Sequence, residues 1–246
     1  MQYTLTVSLS TLRAARTHSA DKDVRYYLCG VYLDTKAGKV VATDGHRMLV
    51  AHARGVRSAA APVIIPNELL DAALKQFGGE YARGKSLGAV PVTVTIGANP
   101  PSASGARSIT IATPTGQVTG LTIVGEFPEW RRVVPQGEPG VLDQAPAVYQ
   151  WPYITDACEA LTIARNVAKG KAGQHAIRVY QRGEFPAIVC DAAADVVVIV
   201  MPMRHDVPAD AAVTALRMAH DDALPYSDDT AERVALEAAA AVSSAA

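Results

Sequence analysis

The sequence predicts an α+β fold built from repeated strand-helix-strands units with antiparallel sheets. Short runs of alternating apolar residues indicate strands, and some are followed by runs with apolar residues at helical spacing. A unit of one strand, one helix and three strands recurs three times along the 246 residues, although the copies share no sequence-level repeat. We therefore expect helices on one face of antiparallel sheets.

The first unit occupies the N-terminal part of the chain. The run Tyr3 to Val7 alternates and predicts a strand, and the spacing of Leu9 and Leu12 predicts a short helix that continues to Arg16. Three strand-like runs complete this unit, namely Val24 to Asp34, Lys39 to Thr43 and Arg47 to Ala53.

The last two of these strands are joined by Asp44-Gly45, a strong short signal for a hairpin. Gly45 can adopt a positive φ without steric cost, and Asp44 tolerates such a turn. The hairpin is expected to bring Thr43, His46 and Arg47 together at the end of a strand.

The second unit begins with the apolar run Val63 to Ile65. Pro66 and Asn67 favour the start of a helix, and an apolar stripe up to Phe77 predicts that this helix ends at Gly78-Gly79. The stretch 97–105, rich in Pro, Ser and Gly, predicts an exposed, mobile loop. The predicted strands are Val92 to Ile96, Ser108 to Ala112 and Gly120 to Val124.

The third unit follows a predicted linker at 136–140 and starts at Val148 to Gln150. Apolar residues from Ile154 to Ala164 recur at helical spacing and predict its helix. Its predicted strands are Ile177 to Tyr180, Ala187 to Cys190 and Val196 to Val200.

Composition indicates an ordinary globular protein. The chain is 49% hydrophobic and 19% charged, and its formal net charge of -1 provides no overall attraction to nucleic acid. The N-terminus lacks a basic, apolar leader pattern and no stretch is long and apolar enough for a membrane span, so a cytoplasmic location is expected. Three cysteines, Cys29, Cys158 and Cys190, suggest buried thiols rather than a disulfide framework or a metal site.

Three motifs, in order along the chain, resemble the bacterial DNA polymerase III beta subunit, the sliding-clamp family. Arg25 to Gly30 followed by Ala42 to Arg47 resembles a strand and turn of its middle domain. Gly125 to Pro135 is similar to a third segment, and Val200 to Arg204 is similar to the motif that closes the last domain. The resemblance implies a DNA-clamp type fold in which these motifs converge on one peptide-binding pocket.

The resemblance also implies a domain organisation. Residues 1–135 correspond to a clamp domain like the family's middle domain, 136–204 to a half clamp domain like the end of the third, and 205–246 to an Ala- and Asp-rich C-terminal extension. Family members carry three full domains per chain, so we expect a non-ring state, monomer or dimer. The extension is either a solvated tail or a segment whose Leu224 and Tyr226 compete for the pocket.

The function implied is that of a non-catalytic replication factor. It would bind DNA polymerase, or other replication and repair proteins that carry clamp-binding peptide motifs, and confer processivity on double-stranded DNA. The alternative is a clamp-related adaptor or competitor that binds the same peptides without encircling DNA. An enzyme is the third reading, because Asp44, His46 and His52 are close in sequence, but no nucleophile elbow accompanies them. No cofactor and no metal are expected.

The resemblance assigns site residues where the motifs match. Apolar and thioether side chains would hold a Leu or Phe anchor, and polar groups would fix the peptide backbone. The predicted peptide-binding residues are Arg25, Leu28, Thr43, Gly45, His46, Arg47, Met48, Pro128, Arg132, Val133, Gln150, Tyr153, Val200, Met201, Pro202, Met203 and Arg204.

Basic residues on the predicted helices are candidates for contact with DNA. In the family such helices face DNA, whereas cations near a helix C-terminus are also common without any ligand. Contacts of this kind would be independent of base sequence, and a steep fall of DNA affinity with salt would be their signature. The candidates are Arg13, Arg16, Lys75, Arg165, Lys169 and Lys171.

Overall fold

The computed structural model describes residues 2–81, 91–97, 105–135, 148–165, 177–180, 185–191 and 195–203. Within these ranges three α-helices accompany two antiparallel sheets, which confirms the predicted α+β class. None of the described helices has the length and apolar character needed to cross a membrane.

The first unit has the predicted order of elements. Its helix begins after Ser8, whose hydroxyl accepts the Thr11 N–H at 3.0 Å and so caps the first turn. The elements are β1 (Tyr3–Ser8), α1 (Leu9–Arg16), β2 (Gly30–Asp34), β3 (Lys39–Thr43) and β4 (Arg47–His52).

The second unit repeats the order of one strand, one helix and three strands. In the third unit, the described residues before the helix form only an isolated bridge, between Val148 and Met203. The second contains β5 (Val63–Pro66), α2 (Asn67–Tyr81), β6 (Pro91–Ile96), β7 (Ser108–Thr113) and β8 (Gly116–Leu121). The third contains α3 (Trp151–Ala164), β9 (Ile177–Tyr180), β10 (Ala187–Asp191) and β11 (Val196–Val200). Short 3-10 helices cover Tyr26–Leu28, Arg54–Val56 and Trp130–Val133.

The first two units exchange strands. The four-stranded sheet has the order β1-β6-β7-β8, and the seven-stranded sheet has the order β5-β2-β3-β4-β11-β10-β9. β1 of the first unit therefore pairs with the second unit, and β5 of the second unit pairs with β2. The third unit joins the larger sheet where β11 pairs with β4, with Met48 opposite Ile199. This pairing brings segments from distant parts of the sequence to one place.

The core lies between the sheets and the helices. Buried side chains of all three helices, including Leu12, Phe77 and Leu161, belong to one apolar cluster with residues of both sheets. Successive side chains of β2 point to opposite faces of the sheet. Val31 and Leu33 face this cluster, whereas Tyr32 packs against a second apolar cluster on the other face. The candidate functional site lies at that second cluster.

Three sequence predictions of element bounds are wrong. The 24–28 part of the expected first-unit strand instead leads into a 3-10 turn, in which the Leu28 N–H donates to Arg25 O and the Cys29 N–H to Tyr26 O. α2 continues past Gly78-Gly79 to Tyr81, because glycine inside a helix costs only about 1 kcal/mol relative to alanine. β8 begins at Gly116 because a tight turn pairs that residue with Thr113. The predicted mobile loop, the linker and the C-terminal extension lie at least in part outside the described residues.

Candidate functional site

The hairpin turn between β3 and β4 is organised by the Asp44 carboxylate. Its Oδ1 accepts the His46 N–H at 2.9 Å and the Arg47 N–H at 3.0 Å, and its Oδ2 accepts Arg47 Nε–H at 3.1 Å. The Thr43 hydroxyl donates to Arg47 O at 2.7 Å and accepts the Gly45 N–H at 3.0 Å. Gly45 has φ +94°, so the residue types of this turn match its backbone.

Arg25 lies directly over this turn. Its Nη2 donates to Asp44 O at 3.0 Å and forms an ion pair with Asp23 at 2.6 Å. The hydrogen bonds from Arg25 lower the pKa of Asp23 to about 2. A Cβ atom on Gly45 would come within 2.7 Å of Arg25 Nη1, so the guanidinium can occupy this position only over glycine.

Arg47 connects the hairpin to helix α3. Its guanidinium donates to Asp156 on that helix and to Thr17 O at 3.2 Å, and it lies 5.3 Å from the centroid of the Tyr153 ring. The His46 ring stacks on the Tyr153 ring, with the ring centroids 5.9 Å apart and an angle of 13° between the ring planes. The hairpin is therefore held by side chains from two other parts of the chain.

A buried histidine lies behind the hairpin. The Thr17 hydroxyl donates to Ala14 O at 2.8 Å, so the contact of 3.0 Å between Thr17 Oγ1 and His18 Nδ1 requires Nδ1–H as the donor. His18 Nε2 is then an acceptor, and it has no hydrogen-bond partner among the described residues. Burial, reinforced by the positive charge of Arg47, lowers the pKa of His18 to about 4.

The opposite side of the site is formed by residues 127–133, which we name the Trp130 wall. Its backbone bonds include local ones, such as that from the Arg132 N–H to Glu129 O at 3.1 Å. Longer-range ties come from side chains: the Phe127 ring stacks on Tyr32 of β2 with centroids 4.6 Å apart. The wall thus contacts the same face of β2 that points away from the main core.

A third side is formed by the end of β11. Ile199 and Met201 are two residues apart and both line the site, whereas Val200 between them is fully buried in the main core. The Met201 N–H donates to His46 O at 2.9 Å, which ties this segment to the hairpin.

These three sides, together with Arg25, Tyr27 and Leu28, surround an open, largely apolar cavity of about 170 Å³. The residues of the β3–β4 hairpin that line it, Thr43, Gly45, Arg47 and Met48, are named here the hairpin wall. The full lining consists of Arg25, Tyr27, Leu28, Thr43, Gly45, Arg47, Met48, Phe127, Pro128, Glu129, Trp130, Val133, Ile199 and Met201.

The structure brings part of the predicted site together around this cavity. The shared residues are Arg25, Leu28, Thr43, Gly45, Arg47, Met48, Pro128, Val133 and Met201. Predicted residues that lie outside the lining are His46, Arg132, Gln150, Tyr153, Val200, Pro202 and Met203. Arg204 lies outside the described residues.

Sequence reasoning missed five residues of the lining. Phe127, Glu129 and Trp130 belong to the third motif, but the resemblance does not assign them to the pocket, and only the fold places them in its lining. The signal for Ile199 was available, because strand alternation places it on the same face as Met201 and opposite Val200. Tyr27 lines the site because its segment is a 3-10 turn rather than a strand.

The predicted DNA-contact residues differ in their surroundings. Arg13 and Lys75 are exposed on α1 and α2. Arg16 forms ion pairs with Asp71 at 2.9 Å and with Asp21 at 3.0 Å, and Arg165 forms ion pairs with Asp191 and Asp195. Phosphate contacts by Arg16 or Arg165 would compete with these carboxylates. Lys169 and Lys171 lie outside the described residues.

Among the described residues, no group of three or more His, Cys, Asp or Glu could hold a metal ion.

Comparison with known proteins finds similar sequences and similar solved structures but no matching family model. No protein-family model matches the chain. The beta sliding clamp of Escherichia coli K12 is 30% identical over 128 residues, which are 51% of this chain and 31% of that protein. The beta sliding clamp of Vibrio cholerae is 32% identical over 120 residues, which are 48% of this chain and 28% of that protein.

Solved structures extend the likeness to most of the chain. A DNA polymerase sliding clamp from Pseudomonas aeruginosa aligns with TM-score 0.54 and 19% identity, over 83% of this chain and 66% of that one. A beta sliding clamp from C. crescentus aligns with TM-score 0.56 and 18% identity over the same shares.

The architecture of interlocked strand-helix-strands units is thus that of the DNA-clamp fold, as predicted. Within that class, the chain is related to the bacterial beta sliding clamps, which confirms the resemblance found in its motifs. The sequence match spans less than a third of each of these curated relatives.

Proposed function

We propose that this chain is a clamp-like replication factor that binds replication proteins through linear peptides held in the cavity. The observation that carries this proposal is the cavity itself, which is largely apolar, open and lined by four separate segments, 25–28, 43–48, 127–133 and 199–201. The same segments carry the motifs that resemble the clamp family, and the chain has relatives named beta sliding clamp.

The dimensions of the cavity favour a peptide side chain as its occupant. Its volume of about 170 Å³ is smaller than the roughly 300–1,000 Å³ of sites that enclose a drug-sized molecule. One or two apolar side chains of a longer ligand would fill it. Met48 and Met201 are unbranched thioethers that can adapt to either Leu or Phe. The class of ligand is therefore a peptide with two large apolar residues that are adjacent or separated by one residue.

The arrangement supports binding rather than catalysis. Both oxygens of Asp44 are engaged by the turn, so this carboxylate is not available to orient the His46 ring as a general base. His46 instead stacks on Tyr153 at the surface. We propose polymerase or other replication and repair proteins as partners. Whether the protein also encircles DNA distinguishes a processivity factor from an adaptor.

The test is fluorescence polarisation with a labelled peptide that contains Gln followed by a Leu-x-Phe or Leu-Phe anchor. We expect a Kd in the micromolar range, or roughly -8 kcal/mol. Met201→Ala, which removes a thioether from the lining, should weaken binding about tenfold. The matched control is Val179→Ala on β9, which shortens an exposed apolar side chain that does not line the cavity.

A peptide in which the apolar anchor residues are replaced by Ala should not bind. Lack of binding to the unaltered protein at high micromolar concentration would end the proposal, as would equal effects of Met201→Ala and Val179→Ala.

A further inference from the structure

Asp34, at the end of β2, is a buried carboxylate that no motif singled out. Its side chain is only 4% exposed. A buried carboxylate is stable only when several donors satisfy it. Here the Ala37 N–H donates to Oδ1 at 3.0 Å, which closes the turn after β2, and Oδ2 accepts two further donors.

Both donors to Oδ2 come from the Trp130 wall, nearly a hundred residues along the chain. Trp130 Nε1–H donates at 3.3 Å, and Arg131 Nη2 donates at 2.7 Å. Arg131 also lies over the Trp130 ring, with Cζ 4.3 Å from the ring centroid. One carboxylate therefore fixes the indole directly through its nitrogen and indirectly through a guanidinium stacked on its face.

Asp34 does not itself line the cavity, whereas Trp130 does. Tyr32, two residues earlier on the same face of β2, stacks on Phe127 at the other end of the wall. One face of β2 thus carries two side chains that hold the wall: the Tyr32 ring contacts Phe127, and the Asp34 carboxylate binds Trp130. The half-exposed Arg131 is held between Asp34 and the ring rather than directed into the cavity.

The charge state of Asp34 agrees with this role. Burial alone would raise the pKa of Asp34, but the hydrogen bonds from Ala37, Arg131 and Trp130 lower it below its usual value. The ionised form, which accepts all three donors, is therefore the form present at neutral pH.

We infer that Asp34 is a positioning residue of the proposed peptide site, which orients the Trp130 indole as part of the cavity wall through Nε1 and through Arg131. The inference rests on the proposed function for its consequence, since an indole free to rotate would no longer present a fixed apolar surface to a ligand. The geometry of the wall itself can be measured without any ligand.

The sequence contains two tryptophans, Trp130 and Trp151. The experiment uses the full chain with the substitution Trp151→Phe, so that all tryptophan fluorescence comes from Trp130. Two variants remove the contact from opposite sides. Asp34→Asn removes the buried charge paired with Arg131 and leaves, among the described residues, only the exposed ion pair of Arg131 with Glu129 at 3.2 Å. Arg131→Gln changes a side chain that is 50% exposed and so preserves the fold. Asp71→Asn, which breaks the ion pair with Arg16 on the helices, is the matched control.

The first measurement is acrylamide quenching of Trp130 without peptide. We expect both wall variants to raise the quenching constant about twofold and the control to leave it unchanged. Unchanged quenching in Asp34→Asn and Arg131→Gln would overturn the inference, whatever the protein binds.

The second measurement is peptide affinity together with the thermal midpoint. We expect Asp34→Asn and Arg131→Gln each to weaken peptide binding about tenfold. Their effects should be far from additive in the double variant, because they remove one connected contact. If both variants bind the peptide as tightly as the unaltered protein does, the inference fails while the proposed function stands. If the unaltered protein binds no peptide, the proposed function fails, and with it the role of Asp34 in binding.

Discussion

The two walls of the cavity are held in place by different means. The hairpin wall is part of the seven-stranded sheet, where Met48 pairs with Thr43 on one side and with Ile199 on the other. The Trp130 wall has local backbone bonds and is tied to β2 by the stacking of Phe127 and the donors to Asp34. One wall is fixed by backbone ladders and the other by side chains.

This difference predicts how each wall responds to change. A ladder of backbone hydrogen bonds survives the loss of any one side chain, because each bond contributes only about 1 kcal/mol and the neighbours remain. Within the described residues, the Trp130 wall has only two side-chain anchors on β2, the Tyr32 ring and the Asp34 carboxylate, so the Trp130 indole loses its orientation when Asp34 is altered. Ligand affinity should therefore depend on few residues at the Trp130 wall and on many at the hairpin wall.

The largest expected effect concerns pH and the histidine behind the hairpin wall. The folded-state pKa of His18 is lowered from 6.5 to about 4, so the folded protein favours the neutral ring. Its contribution to stability is complete above pH 6.5 and is lost as the pH falls toward 4. At about 1.4 kcal/mol for each pH unit, the loss is about 3 kcal/mol.

Urea unfolding of the unaltered protein and of His18→Gln, from about pH 7 down to about pH 4, measures this effect. Across that range, the unfolding free energy of the unaltered protein should fall by about 3 kcal/mol relative to that of His18→Gln. Asp34 behind the other wall has a lowered pKa, so its contribution is lost only below the ordinary carboxylate range. Parallel pH dependence of the two proteins would show that His18 does not titrate as its burial requires.

A second effect concerns the backbone of the hairpin wall. Gly45→Ala forces a side chain into φ +94° and displaces the Arg25 guanidinium, which lies 2.7 Å from the new Cβ position. We expect about 1–3 kcal/mol of destabilisation and a loss of peptide affinity. Gly105→Ala is the control, because it shares a positive φ of +69° but would meet only a Val124 methyl group at 3.7 Å. It should lower stability and leave affinity unchanged, and a similar loss of affinity in both would attribute the effect to global strain.

The two walls also differ in how far the sequence predicts them. The hairpin wall follows from local signals, since Asp44-Gly45 between apolar runs specifies both the turn and the register of β3 with β4. The family resemblance also predicts that Met48 and Met201 line the same pocket, and both residues line the cavity. Local signals were sufficient for the turn itself, because its own hydrogen bonds join residues no more than four positions apart.

The Trp130 wall could not be predicted to the same depth. Its key contact joins Asp34 to residues nearly a hundred positions away, and neither end shows a periodicity that indicates the partner. Reading 24–28 as part of a strand failed for a related reason, because local i to i+3 hydrogen bonds overrode the β propensity of Tyr26 and Tyr27. Val200 was placed in the site by its motif, although alternation along β11 directs it into the core.

The smallest expected effect tests whether the hairpin wall is held redundantly. Arg47 contacts Asp156, Asp44, Thr17 O and the Tyr153 ring, and Asp156 is 39% exposed. Asp156→Asn removes one of these partners near solvent, where an ion pair contributes at most about 1 kcal/mol. Since the other contacts remain, we expect a loss of stability of less than about 1 kcal/mol and a change in peptide affinity below about twofold. Urea unfolding and polarisation measure both quantities beside Asp34→Asn. If Asp156→Asn weakened binding as strongly as Asp34→Asn, the backbone ladder would not suffice to hold the hairpin wall, and the contrast between the walls would disappear.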